Sequence, residues 1–137
     1  MTEGLLRISR DRDGGLNMIG WGWQEDGTLS ARYWSEAATE RRDPAGILYF
    51  WKGERPRHAD APQLEGTGEI RVETADRATG YWTTRSDRDP GLNARTAGVY
   101  LRADPSHLQV LDGGSAQERA QLIGQRLEEW RSAANAF

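Results

Sequence analysis

Hydrophobic and polar side chains alternate with a period of two along most of this chain, and the period lengthens to that of a helix only near its end. In residues 28–34, Leu29, Ala31 and Tyr33 share one face while Ser30, Arg32 and Trp34 take the other. Residues 66–73 alternate as cleanly, with Ile70 and Val72 inward and Glu69, Arg71 and Glu73 outward. In residues 95–102, Thr96, Gly98, Tyr100 and Arg102 oppose Ala97, Val99 and Leu101. Residues 16–23 and 28–34 flank the turn Glu25-Asp26-Gly27 and predict a hairpin. A second hairpin joins 66–73 to 78–85 through the four residues Thr74 to Arg77. Residues 46–52 are apolar on both faces, as in a strand covered on both sides.

These segments make six strands, and seven or eight if Leu5-Leu6-Arg7-Ile8 and Leu108-Gln109-Val110-Leu111 join them. Residues 35–42 read as a surface connection with one helical turn, stopped by Asp43-Pro44. Residues 53–62 and 86–93 read as loops, the first long enough to fold over a barrel mouth. After Asp112-Gly113-Gly114, Ser115 and Glu118 fit a capping box, and Ala120, Ile123, Leu127 and Trp130 follow at helical spacing. The pattern predicts one amphipathic helix over about 115–133, behind a barrel over about 5–111, in a single domain spanning 1–137.

Glycine recurs beside Trp or Tyr on these segments, at Gly20-Trp21-Gly22-Trp23, Gly80-Tyr81-Trp82 and Gly98-Val99-Tyr100. Short strands of this kind close small antiparallel β-barrels, in which rings fill the interior and glycine relieves crowding. Six Trp, four Tyr and two Phe supply the core material of a chain whose net charge is −3. An acidic balance argues against binding long nucleic acid. With no cysteine there is neither a disulfide nor a thiolate site, and a cytoplasmic setting is the expectation. No apolar run is long enough for a signal core or a membrane span, so neither export nor membrane partnership is expected.

Of the eighteen basic residues only Lys52 is lysine. High-GC coding favours arginine in this way, but guanidinium forks also grip carboxylate and phosphate bidentately. Catalytic chemistry is poorly supplied. His58 and His107 are the near-neutral acid–base groups, and neither sits in a nucleophile or metal spacing. The expectation is a protein without catalytic residues, metal site or cofactor. Binding is better supplied: Tyr49, Trp51, Tyr81, Trp82 and Tyr100 offer stacking surfaces, Thr83 and Thr84 hydroxyls, and Arg85, Arg95 and Arg102 charge. The same residues equally suit a packed core and solvated strand ends.

The order Leu48-Tyr49-Phe50-Trp51-Lys52-Gly53-Glu54-Arg55-Pro56, Gly66-Thr67-Gly68-Glu69-Ile70, Thr79-Gly80-Tyr81-Trp82-Thr83 and Thr96-Ala97-Gly98-Val99-Tyr100-Leu101 resembles the β-barrel domain of bacterial CBASS-type anti-phage effectors over about residues 46–103. The resemblance implies a lipocalin-like barrel that recognises a cyclic dinucleotide. It departs in one respect, because that family carries two transmembrane helices ahead of the barrel and this sequence has no such segment. The expected function is therefore binding, without catalysis, of a cyclic oligonucleotide or another small anionic molecule in a bacterial or phage-defence setting. The alternative is a protein-interaction or oligomerisation module that uses a sheet edge or the C-terminal helix.

Overall fold

The computed structural model describes residues 3–55, 64–85, 91 and 93–135. Its frame is one antiparallel sheet of seven strands, β1 (Glu3–Arg10), β2 (Leu16–Trp23), β3 (Leu29–Arg42), β4 (Ala45–Glu54), β5 (Leu64–Thr74), β6 (Arg77–Thr84) and β7 (Ala94–Leu101). Each strand pairs with its neighbours in sequence, and β1 and β7 stand at opposite ends without pairing to each other. The sheet curls into a half-barrel. The curl is tight enough to bring the phenol of Tyr49 on β4 within electrostatic reach of that of Tyr100 on β7. Three strand spacings span about 14 Å on a flat sheet, so these phenols approach each other only because both project into the concave side of a bent one.

Aromatic rings laid over cross-strand glycines permit that bend. Tyr33 lies over its direct partner Gly20, and Tyr49 over its partner Gly68. Trp82 lies against Gly98. A methyl group at any of these three glycines would strike the ring. The glycine-aromatic rhythm of the sequence is thus realised between strands, each ring filling the space that a neighbouring side chain vacates. Register shifts at Gly22/Trp23, Ser35/Ala37 and Val72/Thr74 add local bends.

Two helices follow, α1 (Pro105–Gly113) and α2 (Ala116–Asn135). The strand considered for 108–111 is instead part of α1, because Asp104 caps it by accepting from the Ser106 N–H at 2.9 Å and Pro105 occupies its first turn. The capping box of α2 forms as expected, with the Glu118 N–H donating to Ser115 Oγ at 3.2 Å and the Ser115 N–H to Glu118 Oε1 at 3.1 Å. Leu122, Ile123 and Leu127 of α2 join Leu111, Leu5 and Trp23 in one buried cluster, with Trp21, Leu29, Leu108 and Val110 around it. The helices therefore cover the convex face of β1 and β2, since Leu5 and Trp21 alternate away from Met18 and Gly20. Arg119 fastens this contact by donating to the Gly27 carbonyl at 3.0 Å and the Gly114 carbonyl at 2.6 Å. The side chain of Trp130 lies outside what is described. Among the described residues no helix is long and apolar enough to cross a membrane.

Two further expectations change. Residues 35–42 extend β3 to 14 residues instead of winding a helical turn, because pairing with β4 as far as Arg42↔Ala45 outweighs the helical preference of Glu36, Ala37 and Ala38. The strand β4 is covered on one face alone: Trp51 is buried, but Leu48 and Phe50 are each 39% exposed on the convex face. The loop expected over 53–62, with His58, lies largely outside the described residues.

The packing of Tyr33 on Gly20 predicts that Gly20→Ala destabilises the fold by about 1–3 kcal/mol through overpacking. Gly22→Ala, where an added methyl meets nothing within 4 Å, should stay within about 0.5 kcal/mol of the parent in urea unfolding.

Candidate functional site in the concave face

Alternation from the register assigns side chains to the two faces. Leu6, Ile8 and Arg10 of β1, Leu16, Met18 and Gly20 of β2, Tyr33 of β3 and Ile47, Tyr49 and Trp51 of β4 face inward. Gly66, Gly68, Ile70, Ala78, Gly80, Trp82, Thr96, Gly98 and Tyr100 continue that face to the far edge. Its centre is neutral and aromatic. Trp51, 8% exposed, packs edge-on against Tyr33 with centroids 6.3 Å apart, and its indole N–H is buried without a hydrogen-bond partner.

Charge returns at one end of the trough. Arg10 and Glu40 form an ion pair at 2.6 Å, and Arg42 follows Glu40 on the same face by alternation. Beside that pair is a hollow of about 300 Å³, whose walls include Ile8, Leu16, Ile47 and Val72. Ile8 and Val72 remain accessible inside it, although an inward position would ordinarily be covered. The volume lies at the lower end of the range for small-molecule sites.

Burial governs the phenols. Tyr33 and Tyr49 are held far above the ordinary tyrosine value, chiefly by desolvation and further by the neighbouring Tyr100. Tyr100 is raised by burial, and the nearby Tyr49 hydroxyl offsets part of that rise. The trough therefore keeps neutral phenols, hydrogen-bonding groups that bring no charge.

The structure divides the ten residues picked out from the sequence. Tyr49, Trp51, Trp82, Thr84 and Tyr100 share the concave face. Tyr81, Thr83 and Arg95 stand on the convex face, where the Arg95 guanidinium stacks 4.3 Å from the Tyr81 ring centre and Thr83 Oγ1 lies 3.0 Å from Thr67 Oγ1. Near them Phe50, Leu48, Thr39 and Thr67 border a shallow hollow of about 350 Å³. Arg85 bridges Glu65 through backbone at the strand ends, and Arg102 lies 3.8 Å from Asp76 on the β5–β6 turn. Of the arginines picked out, Arg95 thus joins Tyr81 on the convex face, while Arg102 pairs with Asp76 at the turn. His107 belongs to α1, with its Nδ1 3.2 Å from Nη1 of Arg126 on α2. Sequence reasoning passed over Tyr33, Arg10, Glu40 and the walls Ile8, Leu16 and Ile47, although the alternation of Leu6, Ile8 and Arg10 was a usable sign.

Among the described residues most ion pairs lie on the convex face, including Arg32–Glu54 at 2.7 Å, Arg41–Glu69 and Arg71–Glu69 both at 3.3 Å, and Arg77–Glu73 at 2.9 Å. They are at least partly exposed and contribute little stability singly. Their placement leaves the interior apolar along most of its length. Comparison with protein-family models, with curated proteins and with solved structures finds no match for this chain.

The raised phenols set a stability window. Below about pH 10 their protonated state costs nothing, because the unfolded chain is protonated too. Above it the unfolded chain releases protons that the folded state retains, so stability falls as pH rises. In an alkaline titration, phenolate absorbance from Tyr33, Tyr49 and Tyr100 should rise together with loss of near-ultraviolet dichroism. Ionisation of all three in a still folded protein would contradict the buried cluster.

Proposed function

We propose that this protein binds a small anionic molecule in the concave face of its half-barrel and performs no chemistry on it. The supporting observation is the hollow of about 300 Å³, with an apolar wall at Ile8, Leu16, Ile47 and Val72 and a cation at its rim in Arg10. A ligand with an apolar or flat body and one anionic head fits this arrangement: the body lies on the wall, and the head displaces Glu40 from Arg10. Arg42 on the same face adds to the local positive potential. The aromatic centre beyond the hollow supplies stacking surfaces and neutral hydrogen-bonding groups for a longer body.

The lipocalin-like reading accords with an antiparallel meander that curls around this face and places helices on its outside. A cyclic oligonucleotide, the ligand implied by the sequence resemblance, would stack its bases on Tyr49, Trp82 or Tyr100. Its phosphates would need cations beside those rings, and among the described residues the inner face carries its cations at one end. A single anionic head is accordingly the better fit, and a role in anti-phage signalling belongs with the cyclic ligand alone.

Calorimetric titration with medium-chain fatty acids, aromatic carboxylates, and cyclic di- and trinucleotides tests this reading. Single-headed carboxylates should bind, and Arg10→Ala should weaken them about tenfold to a hundredfold, the loss of one charge-assisted hydrogen bond of about 1.5–3 kcal/mol. The variant should remain folded, because Arg10 and Glu40 are both about half exposed and a surface pair contributes about 1 kcal/mol at most. Binding of a cyclic nucleotide alone would restore the ligand implied by the resemblance. Absence of binding by every compound would remove the small-ligand reading for those classes.

A further inference from the structure

The two ends of the sheet are treated differently. Leu5 of β1 is buried in the helix cluster, and Arg7 reaches Asp112 at the end of α1 at 3.1 Å. No comparable cover reaches β7 among the described residues. It pairs with β6 from Ala94 to Leu101 without a register shift, and no described strand lies on its other side. It contains neither proline nor lysine, and its one charged side chain, Arg95, is folded onto Tyr81. Val99 and Leu101 are 55% and 57% exposed. Soluble proteins ordinarily blunt such an edge with a bulge, a proline, an inward charge or a covering element, because its free N–H and C=O groups template another strand.

We propose that this edge is the interface of a symmetric dimer, in which β7 pairs antiparallel with β7 of a second copy. A two-fold axis at the edge makes the contact isologous and closed, so assembly stops at two. An axis through Ala97 or Gly98 pairs residues of like parity and keeps both concave faces on the same side. Arg95 then lies opposite Val99 of the second copy in the first register and Leu101 in the second, so the two Arg95 side chains do not confront each other. Thr96, Gly98 and Tyr100 of both copies would line one continuous inner surface. A half-barrel left open along β7 thereby gains a wall from its partner, and the convex strip of Val99 and Leu101 becomes continuous across the axis. A second copy suits this edge better than an unrelated strand because β7 is regular, nearly uncharged and self-complementary in both registers.

Sedimentation equilibrium of the whole protein at about 100 µM tests the proposal. The expected mass is twice 15.4 kDa. Val99→Lys combined with Leu101→Lys places a cation opposite Arg95 in either register and should return the mass to 15.4 kDa with circular dichroism unchanged. Amide exchange across residues 94–101 provides a readout that needs no variant: outward N–H groups should gain protection as the parent protein is concentrated. A monomeric parent, any mass other than twice 15.4 kDa, a dimer that persists in the folded double variant, or protection independent of concentration would each overturn the proposal.

Discussion

The packing of large rings onto glycine across neighbouring strands is the constraint on which the rest of this structure depends. Tyr33 on Gly20, Tyr49 on Gly68 and Trp82 on Gly98 allow bulky aromatics to occupy the inside of a tight curl without forcing the strands apart. A side chain at those glycines would fill the same volume twice. The curl brings the phenols of Tyr49 and Tyr100 near each other across three strand intervals in a largely desolvated interior. The elevated phenols and the neutral character of the trough follow from that geometry.

Neutrality inside is matched by charge outside. The convex face carries arginine–glutamate pairs at its surface, while α1 and α2 cover its first two strands. The inner face admits charge where the strands run out, at Arg10, Glu40 and Arg42. An anion entering from that end would meet a cation first and apolar wall next, which is how a cleft selects amphipathic ligands without burying an unpaired charge.

Much of the strand content was legible because period-two alternation survives in residues 28–34, 66–73 and 95–102. The start of α1 was equally legible in Asp104-Pro105-Ser106, but the apolar run from Leu108 to Leu111 competed as a strand and concealed it. Residues 35–42 misled for a physical reason: Ala37 and Ala38 favour a helix locally, and only pairing with β4 reveals their extended state. The candidate site was half legible. That Tyr81 and Trp82 face opposite ways follows from alternation, but which of them faces inward depends on Gly98 lying beside Trp82 in the neighbouring strand. Arg10 and Glu40 are 30 positions apart in sequence and meet only through the curl of the sheet. No local pattern announces such a pair.

Amide and methyl chemical-shift mapping during titration with a medium-chain carboxylate addresses the concave site most directly. The account predicts shifts concentrated at Ile8, Arg10, Leu16, Ile47 and Val72, spreading toward Tyr100 with a longer body. Shifts centred on Leu48, Phe50 and Tyr81 would place binding on the convex face and contradict it, as would a saturating titration that leaves the trough unchanged.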